Sequence, residues 1–310
     1  MTENIQIGTT DVYSTPLGLG TNAVGGHNLF PNLNDDTGKA IIRVALTNGI
    51  TLLDTAFAYG MGRSEELIGE VLKEFDRSKV AIATKAAHDP ASGGAFNNTP
   101  EFLTRSVEEA LKRLQTDYID IFYIHFPDET TPKNEAIAAL QKLKEAGKIK
   151  AIGVSNFSLA QIKEANQDGF VDIVEDEYSL IHRDAETELF PYLRDNKISF
   201  VPYFPLASGL LTGKYESDVT FPPEDIRSKK ADFQGERFKS IIEKVNQIKL
   251  IAADYNASVA EIVLAWYIKN PFVAVVIPGA KKPEQVINNA KALNVHLTEE
   301  DYQRIDVLFR

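Results

Sequence analysis

LLDTAFAYGMGRSEELIG, residues 52–69, is the stretch on which the reading of fold and chemistry turns. A short apolar run ends on Asp54, a loop then carries Tyr59 among small residues, and a helix is predicted to start near Ser64. An acid closing a buried strand and a phenol just beyond it are poor choices for packing. Burying either without a partner costs on the order of a few kcal/mol. Two later segments end the same way: residues 79–85 (KVAIATK) close on a lysine and residues 119–125 (IDIFYIH) on a histidine. Side chains alternate along a strand, so Lys85 shares a face with Ala81 and Ala83, and His125 with Ile121 and Tyr123. Asp54, Tyr59, Lys85 and His125 therefore gather at the C-terminal ends of consecutive strands. In a parallel barrel, active sites are built at that end.

The rest of the chain fits such a barrel. Strands are predicted at 17–21, 149–154, 171–174, 198–203 and 272–277, besides the three above. Helices alternate with them. Residues 99–114 open with Thr-Pro and carry Leu103, Val107, Leu111 and Leu114 as one stripe. Ser158 with Gln161, and Ser258 with Glu261, read as capping boxes. GLGTNA, at 18–23, has the form of a dinucleotide fingerprint but is followed by a turn-rich loop; the first helix begins only near Asp35, so it is a decoy. Residues 4–14 suit a hairpin, residues 204–235 form a long aperiodic loop, and 298–309 a final helix. The fold expected is α/β: a (β/α)₈ TIM barrel with an N-terminal β-hairpin plug and an extra C-terminal helix. One domain spans residues 1–310.

Composition narrows the function. At 310 residues and 44% hydrophobic, the chain can fill one large core, and its net charge of −11 argues against nucleic-acid or anionic-membrane surfaces. The absence of cysteine excludes disulfides and thiol catalysis. No apolar leader or membrane-length stretch is visible, so a cytoplasmic monomer with a small-molecule partner is expected. The histidines His27, His88, His182 and His296 show no ligand spacing, so no metal is expected.

Six short motifs carry a resemblance. They are GLGT at 18–21, DTAFAYGMGRSEELIG, the strand ending ATK, DYIDIFYIH, GVSNF at 153–157 and IPGAKKPEQVINN at 277–289. In this order, over nearly all of the chain, they resemble the aldo-keto reductase family, in its bacterial branch, which is also similar to potassium-channel β-subunits. The resemblance implies a catalytic tetrad of Asp54, Tyr59, Lys85 and His125 and an NADPH lying across the barrel's C-terminal face. Ser155 and Asn156 match contacts to the carboxamide, and Tyr203 the ring that stacks on nicotinamide. Gly20, Thr21 and Asp54 border the same end. Phe204, Pro205 and Leu206 lead into the pyrophosphate segment of Ser208, Gly209, Leu211 and Lys214, with Arg227 as a second clamp. Gly279 and Lys281 match the other phosphate end, where Lys281 meets the 2′-phosphate and favours NADPH over NADH. Gln285 and Asn289 match adenosine contacts, while Asn288 replaces a frequent acidic residue. Glu175 stands where the family usually has a glutamine beside the carboxamide; an ionised glutamate accepts hydrogen bonds but cannot donate one. His27, Phe30, Phe57, Phe126 and Phe204 are expected to wall a pocket for uncharged carbonyl compounds.

The expected chemistry follows from the tetrad. A free phenol, with a pKa of ~10, is a weak proton donor at neutral pH. Lys85, held by Asp54, is expected to lower that value, so that Tyr59 protonates a carbonyl oxygen as hydride reaches its carbon. His125 orients the same oxygen. Two alternatives stand beside this reductase: an NADPH-binding regulatory subunit with little turnover, and a Schiff-base aldolase using Lys85.

Overall fold

Alternation of side chains along each strand sorts the barrel into an inner and an outer layer. The computed structural model describes residues 4–310 except residue 224. A hairpin, β1 (Ile5–Gln6) against β2 (Tyr13–Ser14), precedes the barrel. The barrel strands are β3 (Leu19–Gly20), β4 (Leu52–Asp54), β5 (Ala81–Ala86), β8 (Ile119–Ile124), β9 (Ile149–Ser155), β10 (Ile173–Glu177) and β11 (Ser199–Tyr203), all parallel and in chain order. A second hairpin, β6 (His88–Asp89) with β7 (Ala95–Phe96), interrupts the series and was not foreseen.

The eighth strand expected at 272–277 is displaced to residues 274–279 and is only partly bonded. Val276 donates to the Pro16 carbonyl at 3.0 Å; Gly18 and Gly20 donate to Val276 and Pro278 at 2.8 and 3.2 Å. Ala274 donates to Phe200 at 2.8 Å. The ladder cannot continue on either flank, because Pro278 and Pro202 have no N–H to return the next bond. The segment nevertheless closes the barrel between β11 and β3.

Ile82, Phe122, Ile124, Ile152, Val154 and Phe200 face outward and pack on the helices. Leu52, Ala81, Ala83, Ile121, Tyr123, Ala151 and Val201 face inward, and Ile7 and Val12 of the hairpin pack on this inner cluster as a plug. Tyr123 fits inside only because its neighbour is Gly153, where a Cβ would lie 2.2 Å from the tyrosine Cδ1.

The helices α1 (Asp35–Thr47), α2 (Arg63–Leu72), α3 (Pro100–Leu114), α4 (Lys133–Glu145), α5 (Leu159–Ala165) and α6 (Leu189–Asp195) follow successive strands. α7 (Gly235–Asp254) and α8 (Val259–Lys269) follow the long loop, α9 (Pro283–Ala290) follows the closing segment, and α10 (Glu299–Leu308) is the extra helix. Asn34 caps α1, which confirms that no phosphate-loop helix follows GLGTNA. The Ser158 capping box forms in both directions; at Ser258 the hydroxyl accepts from the Glu261 N–H but donates to its carboxylate, so that box is half made. Among the described residues no helix is long and apolar enough to cross a membrane.

Candidate active site

Asp54 closes β4 facing inward, and Lys85 faces inward from β5. Both are buried. Lys85 Nζ donates to Asp54 Oδ1 at 2.5 Å and to the Thr55 carbonyl at 3.0 Å. Its charge also lies 5.3 Å from the centroid of Tyr123, which floors the site. Burial alone would push the Lys85 pKa down, but the Asp54 carboxylate, with Glu175 beside it, outweighs burial and holds the amine protonated.

Tyr59 sits on the loop between β4 and α2. The loop is held by left-handed residues at Gly60, Met61 and Gly62, and a Cβ at Gly60 would strike the Gly25 carbonyl at 2.0 Å. A hydroxyl chain fixes its base: Thr55 donates to Ser64, Ser64 to Thr21, and Thr21 to the Asp54 carbonyl. The Tyr59 ring lies 5.9 Å from Lys85 Nζ and 6.3 Å, edge-on, from the ring of His125. Its pKa departs from expectation. Burial raises it and outweighs the lowering by Lys85, so the net shift is above the free phenol. Burial, with Lys85 and His88 nearby, holds His125 well below the ordinary histidine range, so its imidazole is neutral.

These groups open onto a cavity of about 420 Å³ at the C-terminal ends of the strands. Gly20, Asp54, Tyr59, His125, Phe126, Ser155, Asn156, Glu175, Tyr203, Phe204, Pro205 and Gly279 line it. Asn156, left-handed at φ 60°, donates to the His125 carbonyl and accepts from the Tyr203 hydroxyl at 2.9 Å, which sets the Tyr203 ring. Glu175 faces inward with its Oε2 3.2 Å from Lys85 Nζ, a contact no motif predicts. Among the described residues four buried side-chain polar atoms lack a hydrogen-bond partner, and three of them, Asp54 Oδ2, Glu175 Oε2 and His125 Nδ1, are here. Buried polar groups are nearly always paired, so their clustering marks a site.

Three residues expected in the pocket wall lie elsewhere. His27 pairs with Asp35 at 2.8 Å, Phe30 lies under Lys281, and Phe57 packs against the Arg113 guanidinium. Each is in contact with a charged side chain there. Leu29, Ala58 and His88 line the cavity instead. His88 arrives on the β6–β7 hairpin, where its ring is 5.8 Å from His125 and Phe96 stacks on Phe126 at 4.8 Å. Two-residue strands leave no periodicity to read.

The remaining predicted contacts spread from the cavity along the same face. Leu206 leads into a tight turn in which Ala207, Ser208 and Gly209 are all left-handed. Lys230 donates to Ser208 Oγ at 3.3 Å, and Lys214 packs so closely on Gly209 that a Cβ there would meet its Nζ at 2.5 Å. Leu211 is buried, so only its backbone can face this surface. Arg227 is forked onto Asp225 and bonded to the Tyr215 hydroxyl, so its charge is already paired. Lys281 Nζ sits 4.0 Å from the centroid of Phe30. Gln285 Oε1 accepts from the N–H groups of Lys281 and Lys282, Asn288 accepts from Lys291, and Asn289 is buried. The N–H donors just before α9 are thus occupied by its own glutamine, where an anion site was expected.

With this geometry in view, the model of the Aldo/keto reductase family matches residues 16–309. Aldo-keto reductase YhdN of Bacillus subtilis is 38% identical over 309 residues, covering 99% of this chain and 93% of that protein. The NADH-specific methylglyoxal reductase of Escherichia coli is 37% identical, over 96% of each chain. The structure of the glycerol dehydrogenase AKR11B4 from Gluconobacter oxydans matches with a TM-score of 0.90 at 33% identity, covering 99% of this chain and 95% of that one.

Proposed function

Because the chain belongs to the aldo/keto reductase family, and is therefore an oxidoreductase, we propose that it reduces small uncharged aldehydes or ketones to alcohols with NADPH, Tyr59 giving the proton. The observation that carries this reading is the buried Asp54–Lys85 pair beside Tyr59 and a neutral His125, at the mouth of one cavity.

The residues fit the cofactor. The unpartnered buried oxygens and the ring of Tyr203 suit a polar, planar group at the inner end, with Ser155 and Asn156 beside it. Gly20 and Gly279 leave room where a Cβ would approach the Ile277 carbonyl and Asn22 Oδ1 at 3.0 and 3.1 Å. Lys214, Lys230 and Lys281 supply positive charge toward the outer end. Bound there, NADPH supplies the hydride that adds to the carbonyl carbon.

The chain's own work is to place and protonate the oxygen. Tyr59, with its pKa raised, stays protonated through the neutral range and is available as a donor. The alkoxide forming on the substrate is a stronger base than a phenolate, so the proton moves downhill. Lys85 then faces the phenolate left behind and stabilises it. His125, kept neutral, can donate a hydrogen bond to the same oxygen without competing as an acid. Lys85 itself is a poor Schiff-base nucleophile, since its ion pair with Asp54 keeps it protonated.

The test is to mix the protein with NADPH or NADH and a panel of aldehydes and ketones while following nicotinamide absorbance. Rapid oxidation of NADPH by at least one carbonyl is expected. Tight binding of the nucleotide with no turnover across the panel would overturn the reading in favour of a regulatory subunit.

A further inference from the structure

Lys85 is shared by two carboxyls. Asp54 Oδ1 takes a hydrogen bond from it at 2.5 Å, whereas Glu175 Oε2 stands at 3.2 Å and accepts none. Both carboxyls therefore crowd the same buried ammonium. Asp54 Oδ2 and Glu175 Oε2 are both buried and lack a donor. Facing this cluster are the phenols of Tyr59, Tyr123 and Tyr203, the neutral His125 and the hydroxyl of Ser155. Among the described residues Lys85 is the one cation in salt-bridge contact with Glu175.

One ammonium cannot neutralise two buried carboxylates, and like charges this close do not both ionise. A proton held between them removes one charge and satisfies an otherwise unpartnered oxygen. We propose that Glu175 holds a proton shared with Asp54, and that this proton sets the charge Tyr59 faces, making Glu175 a positioning residue for proton transfer. Burial, reinforced by the charge of Asp54, raises Glu175 well above the usual carboxylate range, in agreement with the geometry.

The consequence has a sign. With the proton in place the cluster is neutral, Lys85 balanced by Asp54, and Lys85 can stabilise a phenolate on Tyr59. When the proton leaves, a net negative charge sits beside a phenol that must itself become negative, and reduction slows. The inference rests on the reductase reading for its effect on rate. The proton itself can be detected without turnover.

Two measurements separate them. In infrared difference spectra of the whole protein at neutral pH, wild type minus Glu175→Gln, the carbonyl-stretch band of a protonated carboxylic acid is expected; it disappears from the wild type as pH rises. Should Glu175→Gln not fold, Asp54→Asn leaves Lys85 to Glu175 alone and should remove the same band. In turnover, kcat of the wild type should fall by about tenfold per pH unit above the pair's ionisation, a limb that Glu175→Gln lacks. No acid band overturns the proposal whether or not any carbonyl is reduced. A band with identical pH profiles overturns the link to Tyr59. A band in a protein that reduces nothing keeps the shared proton, overturns its role in proton transfer, and sinks the reductase reading with it.

Discussion

At the scale of single residues, the tetrad positions are legible because an alternating strand that ends on Asp54, Lys85 or His125 has no packing reason to do so. The partnership of Lys85 with Glu175 is not legible. β10 and β5 are separated in the barrel by β8 and β9, and the two side chains meet only across its interior. The net rise of the Tyr59 pKa was equally hidden, since it depends on how deeply the phenol is buried. Tyr59→Phe should lower carbonyl reduction by ~10²–10⁴-fold, the usual worth of a general acid, with NADPH affinity by fluorescence titration unchanged. Retention of a tenth of the activity would assign the proton to another group. Glu175 also predicts a trend in stability. Burial holds its folded-state pKa well above the usual carboxylate range, so above that range the folded chain keeps a proton that the unfolded chain has released. Relative to Glu175→Gln, the wild type should therefore lose stability as pH rises, by up to ~1.4 kcal/mol per pH unit until Glu175 ionises in the folded state. Denaturant melts of both proteins across the pH range would show it; parallel curves would place the carboxylate in its ordinary range.

At the scale of elements, helices were read well because stripes and caps are local. Thr99 and the Pro after it open α3, and Ser158 opens α5. The β6–β7 hairpin and the short helical turns of residues 207–233 were not, because backbone geometry rather than a repeat of apolar side chains defines them. The α9 junction is where we propose that the choice of nucleotide is made. Lys281 lies over Phe30, and Gln285 closes the N–H groups around it, so on that proposal discrimination would rest on the lysine charge more than on the helix end. NADPH is expected to bind at least tenfold more tightly than NADH, about 1.4 kcal/mol, and Lys281→Ala to erase most of the difference. Fluorescence titration with both nucleotides checks this. Equal affinities in the wild type would ally the protein with its NADH-specific relative from Escherichia coli.

At the scale of the whole molecule, strand order was legible because each strand is followed by its own helix, and successive parallel units pack side by side. Interior layering was not, since it turns on single pairs such as Tyr123 over Gly153. Gly153→Ala would drive a Cβ to 2.2 Å from that ring, and should cost about 1–3 kcal/mol as overpacking, read as a lower unfolding midpoint. It would also disturb the floor beneath Lys85. Pro278 within the closing segment and Pro202 on β11, which stop its ladders, have a kinetic consequence. Between β5, β8 and β9 the barrel is laced by long ladders, but between β11 and β3 residues 274–279 are held by the few bonds described above. In amide hydrogen exchange, Gly18, Gly20, Ala274 and Val276 should trade their protons through local opening well before the amides of β5, β8 and β9. A nucleotide spanning Gly20 and Gly279 would stitch this seam shut and slow their exchange selectively, so the barrel reports occupancy at the place where it is most easily unlaced.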